Sequence, residues 1–109
     1  MYKDDLLKRM VEAWGEADQI RQTTEECAEL IVAISHWQRG RIPIEGVISE
    51  LVDVSLMIDQ MKYILGQSQD IDGLWATTYR EKLTRAAGKL AEKDAAEGIV
   101  RDSFGAPWE

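Results

Sequence analysis

The stretch from Ile44 to Leu65 is apolar almost all round, and that restricts the folds open to this chain more than any other feature. Its pattern predicts a helix that starts near Ile44 or Glu45 and ends before Gly66. Val47, Leu51, Val54, Ile58 and Met61 lie along one side, and Ile48, Val52, Leu56 and Tyr63 spread over much of the remainder. Such a helix is either central in a bundle or covered by a second subunit. Yet it carries Glu50 and Asp53, three residues apart and therefore on one face. About twenty residues earlier Glu25, Glu26 and Glu29 interrupt another apolar run, that of Cys27, Leu30, Ile31 and Ile34. Glu26 and Glu29 again share a face. These apolar residues are expected to draw both helices into one core and so to bring the carboxylates towards each other. Like charges forced together out of water repel and normally imply a counter-ion.

The remaining punctuation predicts an all-α chain of four helices with short connections. Leu6, Leu7, Met10, Val11 and Trp14 recur at helical spacing from about Asp4 to Trp14, and Gly15 breaks the pattern. A second helix is expected from Glu16 to Gln38, ended by Gly40 and Pro43. A fourth runs from about Asp72 to Ala96, with an acidic first turn that suits the helix dipole and Gly98 after its end. Residues 99–109 contain Gly105, Pro107 and Trp108 and read as a tail or an arm on a neighbour. No repeat, low-complexity segment or strand pattern interrupts this order, so residues 1–109 read as one domain.

At 109 residues the chain can bury roughly two thirds of the surface its unfolded form exposes, so no disulfide staple is required. Its lone cysteine, Cys27, reads as a small core residue. No stretch approaches the ~18 uncharged residues of a membrane span, and Met1-Tyr2-Lys3-Asp4-Asp5 has no signal-peptide character. The expectation is a cytoplasmic protein without membrane partners. A net charge of −7 argues against a nucleic-acid polymer as partner. It leaves room for a single nucleotide, because divalent ions lying between carboxylates and phosphates dominate the local charge.

Carboxylate ligands with no cysteine and no histidine partner favour a hard ion, Mg²⁺ or alternatively Mn²⁺, over zinc. A di-iron centre would want a Glu-x-x-His step on two helices, and this chain has one histidine and no such step. Because Mg²⁺ takes ligands from substrate phosphates, the matching substrate class is a polyphosphate. The plainer reading of one acidic i, i+3 pair is a solvated face. Two such pairs on apolar helices joined by a short loop point beyond it.

Glu-Glu-x-x-Glu on one helix and Glu-x-x-Asp on the next resembles the signature of the all-α nucleoside triphosphate pyrophosphohydrolases. This is the MazG-like group that includes dCTP and dimeric dUTP pyrophosphatases and phosphoribosyl-ATP pyrophosphatase. The likeness spans about Trp14 to Leu90 and takes in Trp14-Gly15-x-x-x-Gln19, Ala28-Glu29-Leu30-Ile31, Arg39-Gly40 and Lys82-Leu83-x-Arg85. It implies a four-helix MazG-like bundle completed by oligomerisation. It also implies Mg²⁺-dependent hydrolysis of a nucleoside triphosphate between its α and β phosphates, with Glu26, Glu29, Glu50 and Asp53 as metal ligands. Glu25, off the centre of that face, takes the catalytic, water-orienting place.

For the substrate, Gln19, Gln22, Trp14 and Trp37 fall where a base could find a flat apolar surface and amide hydrogen bonds, though both tryptophans serve equally well as core. His36 could meet a phosphate or, as its place near the helix C-terminus favours, cap the helix. Lys82 and Arg85 belong to a basic stripe with Lys89 and Lys93, which is either a solvated face or a source of phosphate contacts. Val52, Leu56 and Tyr63, opposite the main apolar stripe, predict a homodimer or homotetramer. Two rivals stand beside this reading: a phosphoribosyl-ATP pyrophosphatase, and a non-catalytic helical oligomerisation module.

Overall fold

A computed structural model describes residues 3–98. Four helices follow in order: α1 (Lys3–Trp14), α2 (Glu16–Gln38), α3 (Ile44–Leu65) and α4 (Asp72–Ala96), with no strand among the described residues. The all-α expectation and the order of helices hold. Residues 99–109, expected to be a tail or an arm, lie outside the described residues. The chain divides into two compact units, with the boundary between Ile71 and Asp72. No helix among the described residues is long and apolar enough to cross a membrane.

Backbone chemistry sets the helix ends in the first unit. Gly15 has φ of 88° and ψ of 154°, a region that essentially only glycine occupies, so it parts α1 from α2 without a spacer. At the far end of α2, Gly40 takes φ of 71°. Its N–H donates to the Trp37 carbonyl at 2.9 Å and the Arg41 N–H to the His36 carbonyl at 2.8 Å. That pair of bonds is a Schellman motif, which satisfies carbonyls that the helix end would leave free. Pro43 then takes the N-cap of α3, so the turn between the helices is short and they form an αα-hairpin.

α2 and α3 make the most extensive helix pair, and α1 packs on both. Among the described residues, Leu7, Val11, Ala33, Val47, Met57 and Ile64 are the buried apolar ones. Gln60 is wholly enclosed, and its Nε2 donates to the Leu7 carbonyl at 3.4 Å, tying α3 to α1. Lys3 adds a surface ion pair with Asp59 at 2.9 Å.

The faces that turn inward differ from the expected ones. On α2, Leu30 is half-buried, but Ile31 and Ile34 are exposed, as is Cys27, which is therefore not a core residue. The inward face runs instead through Gln19, Gln22, Glu26, Leu30 and Ala33. On α3, Leu51 and Ile58 are exposed, and the inward face runs Val47, Glu50, Val54, Met57, Met61 and Ile64. Those spacings of three and four mark the seam of a helix pair. Because α3 is apolar nearly all round, periodicity alone had no means of choosing its face.

The second unit is described by α4 alone. Along it Leu74, Trp75, Tyr79 and Leu83 are exposed, Leu90 is half-buried and Asp94 is buried.

Candidate metal centre

The carboxylates meet because they occupy the seam itself. Glu26 and Glu50 stand at positions that an ordinary helix pair fills with leucine or valine, and both are half-buried. Glu26, Glu29 and Glu50 each bring one carboxylate oxygen within 4.8 Å of the others. Asp53 lies half-buried one turn along α3 from Glu50, outside that closest group. Its charge is nevertheless felt at Glu29. The apolar stripes were expected to draw these acids together; Leu30, Val47, Val54 and Met61 do turn inward beside Glu26 and Glu50, while Ile31, Ile34, Leu51 and Ile58 stay exposed.

Electrostatic strain follows from this crowding. The Glu29 carboxyl is pushed above its ordinary value, first by the charge of Glu26, then by partial loss of hydration, the charge of Glu50, a hydrogen bond with Glu26 and the charge of Asp53. Glu26 Oε2 and Glu50 Oε2 are buried with no hydrogen-bond partner among the described residues. A buried carboxylate oxygen without a donor is costly. A divalent cation supplies what both oxygens lack, and the all-oxygen donor set suits Mg²⁺ or Mn²⁺.

Around this cluster Gln22 donates from Nε2 to Glu26 Oε1 at 2.9 Å. A hollow of about 380 Å³ opens beside it, lined by Ala28, Glu29, Val32, Ala33 and Glu50. The two alanines and the valine give that hollow an apolar wall directly against the acids.

Other anticipated residues are placed less centrally. Glu25 is exposed and is not one of the three acids that converge. Gln19 is buried, its Nε2 facing Asp18 Oδ2 at 3.4 Å and its Oε1 without a partner among the described residues. Trp14, at the end of α1, is 60% exposed and Trp37 is also exposed, so neither lies in the core of the first unit among the described residues. His36 lies half-buried in the last turn of α2, where a cation is favourable. Lys82 and Arg85 are exposed on α4, in the second unit. Sequence reasoning missed Gln60; its signal was a polar residue in an otherwise apolar helix, the same signal that Glu50 and Asp53 give.

Comparison of the chain with protein families, with curated proteins and with solved structures finds no match.

Proposed function

We propose that this protein is a Mg²⁺-dependent nucleotide pyrophosphohydrolase, cleaving a nucleoside triphosphate between the α and β phosphates to give the monophosphate and pyrophosphate. The observation that carries the reading is the convergence of Glu26, Glu29 and Glu50 where α2 and α3 meet, with two buried carboxylate oxygens that no described residue satisfies. A solvated acidic face does not bury its oxygens. The substrate class rests on the likeness of Glu25-Glu26-x-x-Glu29 and Glu50-x-x-Asp53 to the MazG-like signature, joined to the preference of Mg²⁺ for phosphate ligands.

Glu26, Glu29 and Glu50 would hold the ion, with Asp53 completing the acidic set. When bound, Mg²⁺ polarises phosphoryl oxygens, lowers the pKa of a coordinated water and neutralises charge building on pyrophosphate. No side-chain nucleophile is needed. The hollow lined by Ala28, Val32 and Ala33 offers apolar surface for the nucleoside beside the metal ligands. Exposed Glu25 is left the role of orienting water.

The finer fold reading is a MazG-like bundle completed by a second copy of the chain. It is supported by exposed Ile31, Val32, Ile48, Val52 and Leu56 on the two helices that carry the acids.

Pyrophosphate release from a panel of ribo- and deoxyribonucleoside triphosphates and phosphoribosyl-ATP, with and without Mg²⁺, tests the proposal. Metal-dependent release from a triphosphate is the expected result. Release confined to phosphoribosyl-ATP moves the protein to the related activity. No release from any member, with the ion bound, leaves the oligomerisation module.

A further inference from the structure

The metal reading leaves Glu26, like Glu50, little freedom to be misplaced, since both occupy the seam while Glu29 is exposed. Glutamate has three rotatable side-chain bonds, and a ligand oxygen must be held in place if a cation is to find it formed in advance. Gln22, one turn earlier on α2, supplies the restraint: its Nε2 donates to Glu26 Oε1 at 2.9 Å. The other oxygen, Oε2, is buried and has no partner among the described residues. One oxygen is thus spoken for inside the helix, and the other is left as the site for a cation.

Resting on the metal reading above, we propose that Gln22 is the positioning residue of this centre, acting on the metal through Glu26 and not on the nucleotide. Its chemistry suits the task. A lysine or arginine here would orient Glu26 too, but would also neutralise it and compete with the cation. A neutral amide fixes the carboxylate and leaves its charge intact. Gln22 is half-buried on the same inward face as Glu26, so its stem is restrained by the seam. The sequence alone placed Gln22 among substrate contacts; the hydrogen bond places one of its two N–H donors on Glu26.

The test is Mn²⁺ binding without nucleotide, read from the loss of the free-ion electron paramagnetic resonance signal. It uses the wild type, Gln22→Met, Glu26→Gln and the double variant. Methionine keeps the length of glutamine and lacks the N–H donor; Gln22→Ala, a strong helix former, repeats the measurement should the methionine variant not fold. The expected result is a loss of roughly 10- to 100-fold in Mn²⁺ affinity for Gln22→Met, the scale for groups that orient metal ligands. Its metal-free fold should persist, with a melting temperature at or slightly below that of the wild type because Glu26 Oε1 loses this donor. In the Glu26→Gln background the same change should weaken binding no further, because the two residues act as one unit.

Wild-type affinity in Gln22→Met overturns the inference while leaving the metal centre standing. So do losses that multiply in the double variant, since Gln22 would then act independently of Glu26. A wild type that takes up no Mn²⁺ overturns the metal reading first and this inference with it.

Discussion

Glu50 is an acid at a core position, and its replacement separates a ligand from a structural residue. Glu50→Gln keeps the shape of the side chain, removes one of the crowded negative charges and adds an N–H donor beside carboxylates that lack one. The metal-free variant should therefore melt at the same temperature as the wild type or higher. Pyrophosphate release should fall by at least ~100-fold, the scale on which key electrostatic groups act. Mg²⁺ should raise the melting temperature of the wild type more than that of the variant. Full activity in Glu50→Gln would remove it from the ligand set, and a variant that unfolds without metal would make it a structural hydrogen-bonding residue. Glu29 adds a pH signature. Its pKa in the folded protein is raised by Glu26, lost hydration, Glu50 and Asp53, so the folded state holds that proton more tightly than the unfolded chain. The stability this contributes is fully present below the unfolded-chain value of about 4.3 and is lost as pH rises through the raised value. In metal-free protein, the melting temperature of the wild type relative to Glu29→Gln should thus fall as pH rises across that window. Saturating Mg²⁺ should reverse the trend, because the ion competes with the proton for the same oxygens. A difference that is flat with pH in the metal-free protein would contradict the crowding.

At the scale of elements, helix ends were legible because they are local. Gly15, Gly40 with Pro43, and Gly66 mark stops through φ, a missing Cβ or a missing N–H, and α2 and α3 begin and end where those signals place them. Gly40 permits a clean test. A Cβ there would meet nothing within 4 Å, so the penalty for Gly40→Ala comes from φ of 71° alone. Chemical denaturation should show a loss of about 1 kcal/mol, and less for Gly40→Asn, since asparagine tolerates the left-handed region better. No loss would mean that the Schellman turn rearranges freely. Which face each helix turns inward was not legible, because that depends on what packs against it. Ile31 and Ile34 make as good an apolar stripe as any on α2, yet the hairpin closes over Gln22, Glu26 and Ala33. Spacing was enough to put Glu26 with Glu29 and Glu50 with Asp53. That Glu25 stays exposed while Gln60 is enclosed required the fold.

For the whole molecule, these outward faces bear on the proposed association. A helix pair that gives part of its seam to glutamate and glutamine leaves apolar surface outside, and Ile31 at 70% exposure with Val32, Ile48 and Val52 each about half exposed is more than scattered surface hydrophobicity. Burial of one such side chain contributes roughly 1.5–3 kcal/mol, so a closed two-fold contact that repeats each of them would stabilise the assembly considerably. The same contact would thicken the low-dielectric surroundings of Glu26 and Glu50 and strengthen their hold on a cation. Sedimentation at micromolar concentration should therefore give a mass at least twice the 12.4 kDa of the chain. Ile31→Glu should shift that mass towards the monomer while the helical circular dichroism persists, because an exposed position on α2 tolerates glutamate and a symmetric apolar contact does not. The associated wild type should also bind Mn²⁺ more tightly than the Ile31→Glu monomer. A wild type that sediments as a monomer would mean that these faces stay in water and that the hairpin's own carboxylates must hold the ion unaided.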